Sequence, residues 1–108
     1  MKKNIFIAAV LFLLTVSCVT AETIEGKLTV QGACGMCKTR IEKAAQSVNG
    51  VIKSEWNLET KVLTLQFDSG KTNLDAISEV LAEVGHDTEK HRTDDKTYDS
   101  LPECCKYR

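Results

Sequence analysis

The chain has 108 residues, of which 43% are hydrophobic and 27% charged, and its 14 Lys and Arg against 15 Asp and Glu give a formal charge of −1. This length fits one small domain, and the lack of a basic excess argues against nucleic-acid binding, which depends on positive charge near phosphates. One proline and six glycines exclude collagen-like and proline-rich architectures, so the five cysteines are the unusual feature of the composition.

Residues 1–21 are predicted to be a signal peptide. Two lysines precede an apolar run over residues 5–14, which is too short to form a permanent membrane span. Small residues before Glu22 favour cleavage there, which would release an exported, periplasmic protein. Alternatively, Cys18 is a lipid-attachment cysteine, and the protein is a lipoprotein that contacts the membrane only through this anchor. Both routes take the chain out of the thiol-reducing cytosol.

Residues 22–90 are predicted to form one domain built from two halves. In the first half, apolar residues alternate with polar ones from Ile24 to Val30, which predicts a half-buried strand. A helix follows, because apolar residues then recur at helical spacing. This stripe consists of Ile41, Ala44, Ala45 and Val48. Asn49 and Gly50 tolerate a left-handed backbone and are predicted to end the helix.

The second half begins with a predicted β-hairpin. Its first strand has one face composed of Ile52, Ser54, Trp56 and Leu58, and its second strand covers residues 62–67. Thr72 and Asp75 have the spacing of a capping box for a second helix, which is predicted to end at Gly85. A short edge strand is expected over residues 87–90.

This element order predicts an α+β fold of ferredoxin-like βαββαβ type. Its four-stranded antiparallel sheet would carry both helices on one face and bury a single core.

The chemistry is expected in the loop before the first helix, where residues 34–37 read Cys-Gly-Met-Cys. A helix N-terminus stabilises thiolates, so Cys34 and Cys37 could converge on one ion there. Thiolates select soft ions, which favours Cu(I), with Hg(II) and Zn(II) as alternatives. Structural zinc sites require four ligands, whereas Cu(I) can be held by two.

Residues 24–90 resemble the heavy-metal-associated domain family. The resemblance rests on the segment Val30–Cys37, on the Arg-Ile-Glu-Lys-Ala run over residues 40–44, and on Gly-Val and Gly-His-Asp after the two helices, at residues 50–51 and 85–87. The family includes copper chaperones, N-terminal domains of copper-pumping P-type ATPases and the periplasmic mercury-binding protein.

The resemblance implies a metallochaperone-like function in metal transport, without a catalytic step. One soft ion would be bound by the motif cysteines, which correspond to Cys34 and Cys37. A metal-exporting ATPase or an efflux pump would be the donor or acceptor of this ion.

Three alternatives remain open for the same two cysteines. A small exported thiol-disulfide oxidoreductase would use this spacing, and so would an inert disulfide. A structural zinc-binding domain would combine Cys34 and Cys37 with two ligands from His86, Cys104 and Cys105. His86 is also a candidate extra ligand to a carried ion.

Residues 91–108 are predicted to be a cysteine-containing tail. Cys104 and Cys105 are adjacent, and adjacent cysteines seldom bond to each other. They could bridge to Cys34 and Cys37, supply further metal ligands, or link to another chain. Either the tail folds back over the loop, anchored by Tyr98 and Leu101, or it is a flexible segment with a weaker site of its own.

Overall fold

The computed structural model describes residues 22–108, so the predicted signal peptide and Cys18 lie outside the described part. The elements are β1 (Thr23–Thr29), α1 (Gly35–Gln46), β2 (Val51–Trp56), β3 (Val62–Asp68), α2 (Leu74–Glu83), α3 (Asp95–Asp99) and a short 3-10 helix (Glu103–Cys105). In the described region, no helix has the length and apolar character needed to cross a membrane.

Within residues 22–108 the sheet has three antiparallel strands in the order β1-β3-β2. The prediction of a four-stranded sheet is therefore wrong. The segment expected to form the fourth strand makes a single bridge, between Val30 and Thr88. The chain then turns away, because the Thr88 backbone N–H donates to the His91 carbonyl at 2.8 Å and the His91 N–H donates to Thr88 Oγ1 at 2.9 Å.

The core lies between the sheet and the helices α1 and α2, and the apolar stripe predicted for the first helix faces it. Ile41 and Ala45 of α1 are fully buried, as are Ile77 and Leu81 of α2. The strands contribute the buried side chains Leu28, Trp56, Leu63, Leu65 and Phe67. Burial of these apolar side chains is the main source of stability for the fold that presents the cysteine loop.

The predicted inner face of β2 is only partly correct. Ser54 and Trp56 are buried, but Ile52 is 58% exposed and Leu58 is 41% exposed. The register shifts at a bulge between Val51 and Lys53, so Val51 packs against the core instead of Ile52. Leu58 lies beyond the end of the strand.

The start of α2 and the end of α1 differ slightly from their predicted positions. The N-cap of α2 is Asn73 rather than Thr72, and its Oδ1 accepts the Ala76 N–H at 2.8 Å. Helix α1 ends at Gln46, before the predicted Asn-Gly stop. Gly50 has a φ of +107°, so the glycine serves the turn into β2 instead.

The C-terminal tail folds back onto the domain, which is the first of its two predicted arrangements. Tyr98 and Leu101 are each only 7% exposed, and Cys105 is fully buried. The polar start of the tail is ordered by α3, whose N-cap Asp94 accepts the Thr97 N–H at 2.7 Å. Burial of Tyr98 within α3 and of Leu101 and Cys105 after it therefore fixes the path of the chain towards the cysteine loop.

The end of the tail is held by its last two residues. The Tyr107 hydroxyl donates to the Gly85 carbonyl at 2.7 Å and accepts the Asp87 N–H at 2.9 Å. The Arg108 guanidinium contacts the Asp87 carboxylate at 3.0 and 3.2 Å and lies 4.4 Å above the Tyr98 ring. These contacts tie the chain end to the segment that follows α2.

Candidate metal centre

Cys34 and Cys37 are placed by the start of helix α1. Cys34 is the N-cap residue and has an extended backbone, and its carbonyl accepts the Cys37 N–H at 2.9 Å. Cys37 is the third helical residue and is fully buried, whereas Cys34 is half-buried. The motif therefore has one thiol facing the core and one nearer to solvent.

The floor of the loop is formed by Gly32 and Trp56. A Cβ atom at Gly32 would lie 3.0 Å from the Trp56 ring and 3.1 Å from Cys37 Cβ, so the loop packs closely because this residue has no side chain. The Trp56 indole N–H donates to the Val30 carbonyl at 3.0 Å. These contacts hold the loop against the sheet and fix the position of the Cys37 thiol.

The cysteines at residues 34, 37, 104 and 105 are all free thiols, and the sulfurs lie close together. Cys34 Sγ is 3.8 Å from Cys37 Sγ and also 3.8 Å from Cys105 Sγ. The sulfurs of Cys34, Cys104 and Cys105 all lie within 4.8 Å of one another. We call these four cysteines the thiol cluster. Cys34 belongs both to the pair with Cys37 and to the group of three with Cys104 and Cys105.

The thiols of the cluster differ in acidity. The Cys37 backbone N–H at the start of α1 is the main cause that lowers the pKa of Cys34 to about 7, against the opposing effect of burial. Burial raises the pKa of Cys105 to about 12, and donation of a hydrogen bond to Cys34 raises the pKa of Cys104. Near neutral pH, Cys34 therefore supplies a thiolate more readily than Cys104 or Cys105 does.

Arg40 contributes positive charge to the cluster, a role that was not predicted. Its Nη1 lies 3.5 Å from Cys105 Sγ. Lys38, another cation of the same helix, is engaged elsewhere, because its Nζ contacts Glu42 at 2.7 Å and the Trp56 carbonyl at 2.9 Å. No local signal could have found this contact, because Cys105 lies 65 residues further along the chain.

His86 is placed in the core rather than in the thiol cluster. It is fully buried, its Nδ1–H donates to the Gln31 carbonyl at 2.8 Å, and its ring stacks on Tyr107 with 5.8 Å between centroids. Among the described residues, the group of close potential ligands contains Cys34, Cys104 and Cys105 but not His86. Burial lowers the pKa of His86 from its ordinary value of 6.5, which favours the neutral ring.

We expect burial of the His86 ring to make the free energy of unfolding depend on pH. In the unfolded chain His86 takes up a proton near pH 6.5, whereas in the folded chain it does so only at lower pH. The free energy of unfolding is therefore at its full value above pH 6.5 and falls as the pH is lowered. The fall is at most about 1.4 kcal/mol per pH unit. Urea unfolding of the metal-free protein between pH 7.5 and 5 measures it.

The matched control for this prediction is His86→Asn. The amide nitrogen keeps a donor for the Gln31 carbonyl but does not titrate. Its unfolding free energy should therefore fall less over the same pH interval. An equal fall in the two proteins would show that another group carries the pH dependence.

Comparison with known proteins places this geometry in a family. The heavy-metal-associated domain model matches residues 27–87. A copper chaperone, CopZ of Staphylococcus aureus (strain bovine RF122 / ET3-1), is 33% identical over 61 residues, which cover 56% of this chain and 90% of CopZ.

Two solved structures share the fold. Oxidised MerP from Ralstonia metallidurans CH34 is 25% identical, with a TM-score of 0.54 and coverage of 61% of this chain and 96% of MerP. A copper-binding domain from HMA7, a P-type ATPase, is 26% identical, with a TM-score of 0.59. The match covers 63% of this chain and 92% of the HMA7 domain. Together with the two-cysteine loop at the start of α1, these matches show that the chain belongs to the heavy-metal-associated domain family.

Proposed function

We propose that this protein is an exported carrier that binds one Cu(I) ion through Cys34 and Cys37 and passes it to a partner. The observation that carries the proposal is the 3.8 Å separation of the two motif sulfurs at the start of a helix. Sulfurs that bind one ion at about 2.3 Å lie about 3.8 Å apart in a tetrahedral site and about 4.0 Å apart in a trigonal one. The two thiols are therefore at the separation of a trigonal or tetrahedral site, whereas an ion held linearly by these two sulfurs alone would require about 4.6 Å, twice the metal–sulfur bond length.

The chemistry of the ligands supports Cu(I) over harder ions. Thiolates prefer soft ions, and the pKa of Cys34 is lowered to about 7, so little free energy is spent on removing its proton. The named relatives include a copper chaperone and a copper-binding ATPase domain, which supports copper as the cargo. Hg(II) and Zn(II) are the alternative cargoes for the same sulfurs.

Transfer would proceed by exchange of thiolate ligands. Cys37 is buried and Cys34 is half-buried, so a cysteine of the acceptor would approach the ion from the side of Cys34. The acceptor thiolate would bind before a carrier thiolate leaves, which keeps the ion coordinated throughout. We propose a metal-exporting ATPase or an efflux pump as the partner, since a domain of a P-type ATPase has the same fold.

The predicted signal at residues 1–21 supports export as the location of this activity. Periplasmic release and anchoring through a lipid on Cys18 are the two forms of the proposal. Mass spectrometry of the protein purified from its native envelope distinguishes them, because a chain beginning at Glu22 and a lipid-bearing chain beginning at Cys18 differ in mass.

An anaerobic titration of reduced protein with Cu(I), in the presence of a competing chelator, tests the function. We expect tight one-to-one binding by the wild type and loss of that binding in the double variant Cys34→Ser/Cys37→Ser. Circular dichroism of the variant confirms that its fold is retained.

Two results would contradict the carrier function. Metal-independent turnover in a disulfide reductase assay, without tight Cu(I) binding, would indicate a thiol-disulfide oxidoreductase. Unfolding of the purified protein by a zinc chelator would indicate a structural zinc-binding domain, because structural zinc contributes directly to folding free energy.

A further inference from the structure

We propose that Cys104 and Cys105 bind the same ion as Cys34, so that the C-terminal tail closes the two-cysteine loop into a site with at least three thiolates. This inference rests on the proposed metal-binding function and adds ligands from a segment outside the region that matches the family model, which ends at residue 87. It changes the expected coordination of the ion and the route by which the ion leaves.

The first support is the distances between the sulfurs. Cys34, Cys104 and Cys105 have their sulfurs within 4.8 Å of one another, and the Cys34 to Cys105 distance is 3.8 Å. Three sulfurs around one trigonal ion lie about 4.0 Å apart when each metal–sulfur bond is about 2.3 Å. The widest separation in this group therefore needs to shorten by no more than about 1 Å, which side-chain rotation can supply.

The second support is the way in which the tail is fixed. Cys105 is fully buried and lies between two anchors, Leu101 before it and Tyr107 after it. Leu101 packs directly over Gly85, where an added Cβ atom would lie 2.8 Å from Leu101 Cδ2. Because both sides of Cys105 are held against the segment after α2, its sulfur is directed at the loop by packing and not by a chance contact of a loose tail.

The third support is the charge around the cluster. Three thiolates and one Cu(I) ion carry a net charge of −2, and burying such a group requires positive partners. Arg40 Nη1 lies 3.5 Å from Cys105 Sγ, on the side of Cys105. The N-terminus of α1 supplies partial positive charge on the side of Cys34.

The two tail thiols have different positions and therefore different roles. Cys105 is buried and retains the ion, whereas Cys104 is exposed and its sulfur lies 3.7 Å from the thioether of Met36, itself 54% exposed. In transfer, an acceptor thiolate forms a bond to the ion while the bond from Cys104 breaks. The proton that the acceptor thiol released is taken up by the Cys104 thiolate, and copper remains Cu(I) throughout.

X-ray absorption of the Cu(I)-loaded protein tests the proposal by counting sulfurs around copper. We expect three or four sulfurs in the wild type and two, those of Cys34 and Cys37, in Cys104→Ser/Cys105→Ser. Losing a residue that only supports a metal ligand reduces affinity by about 10- to 100-fold, so losing direct ligands should reduce it by at least about tenfold in chelator competition.

Cys104→Ser alone keeps the test valid if loss of the buried Cys105 disturbs folding. Cys104 is exposed, so this variant should keep the wild-type melting temperature yet still lose one sulfur from the copper shell. Glu103→Ser, an exposed change in the same short helix, is the matched control and should change neither quantity.

Two sulfurs around copper in the wild type, with the same affinity in both tail variants, would overturn the inference. That outcome would leave the carrier function intact, provided that Cys34→Ser/Cys37→Ser still abolishes binding. If the carrier function itself is wrong, the result is different, because the wild type then binds Cu(I) only weakly.

Discussion

Replacing Cys34 with serine is expected to reduce Cu(I) affinity by about 100-fold or more, which corresponds to about 2.7 kcal/mol, and by more than any other single cysteine replacement within residues 22–108. Cys34 Sγ is 3.8 Å from both Cys37 Sγ and Cys105 Sγ and also belongs to the group that includes Cys104. A serine hydroxyl is a hard donor that stays protonated, so it replaces neither the soft ligand nor its charge. Anaerobic competition with a chromogenic Cu(I) chelator measures the effect.

Thr39→Ala is the matched control for this prediction. Thr39 is exposed on α1 near the same loop, and its hydroxyl makes only a 3.5 Å contact with the Gly35 carbonyl. Its loss should leave the Cu(I) affinity unchanged. A larger loss of affinity in Cys37→Ser or Cys104→Ser than in Cys34→Ser would show that Cys34 is not the shared ligand.

Hydrophobic periodicity predicted the helices and the hairpin correctly because burial in those elements follows from local spacing. Ile41 and Ala45, four residues apart, meet the sheet, as do Ile77 and Leu81. The failures came from hydrogen bonds and register shifts that periodicity does not encode. Thr88 turns the chain after one bridge, and the bulge beyond Val51 exposes Ile52.

The candidate site was predictable only where its parts are close in sequence. Cys34 and Cys37 are brought together by the first turn of one helix, so the motif alone locates them. Cys105 lies 71 residues from Cys34 and reaches it only through tertiary packing. The apolar residues Tyr98 and Leu101 were the signal for that packing, although the sequence left two arrangements of the tail open.

His86 and Arg40 show what spacing cannot decide. His86 follows a glycine in a region where the sequence gives no indication of burial, so a ligand and a core residue looked alike. The structure gives its ring a carbonyl partner and an aromatic neighbour inside the domain. The sequence around Arg40 gives no sign of its contact with Cys105, because only the folded tail brings that thiol next to it.

The tail changes what the two-cysteine loop can do. An open pair of thiols favours rapid exchange, whereas additional ligands retain the ion more strongly. Because the tail is held by a few contacts around α3, loosening those contacts should uncover the buried thiol. The accessibility of Cys105 is thereby linked to the packing of Tyr98, and that link can be measured without metal.

Replacing Tyr98 with alanine is therefore expected to destabilise the metal-free protein by about 3 kcal/mol and to expose Cys105 to thiol reagents. Tyr98 is 7% exposed, its ring packs edge-on against Tyr107 at 4.9 Å, and its hydroxyl accepts the Arg108 N–H at 2.8 Å. Removing the ring leaves a cavity beneath both residues that hold the chain end. Urea unfolding measures the stability, and the modification rate of each cysteine measures the release of the tail.

Tyr98→Phe separates packing from hydrogen bonding, because it keeps the ring and removes only the hydroxyl that accepts the Arg108 N–H. It should cost about 1 kcal/mol and leave Cys105 protected. If Cys105 in Tyr98→Ala reacts no faster than in the wild type, the tail is held by Leu101 and Tyr107 without help from Tyr98.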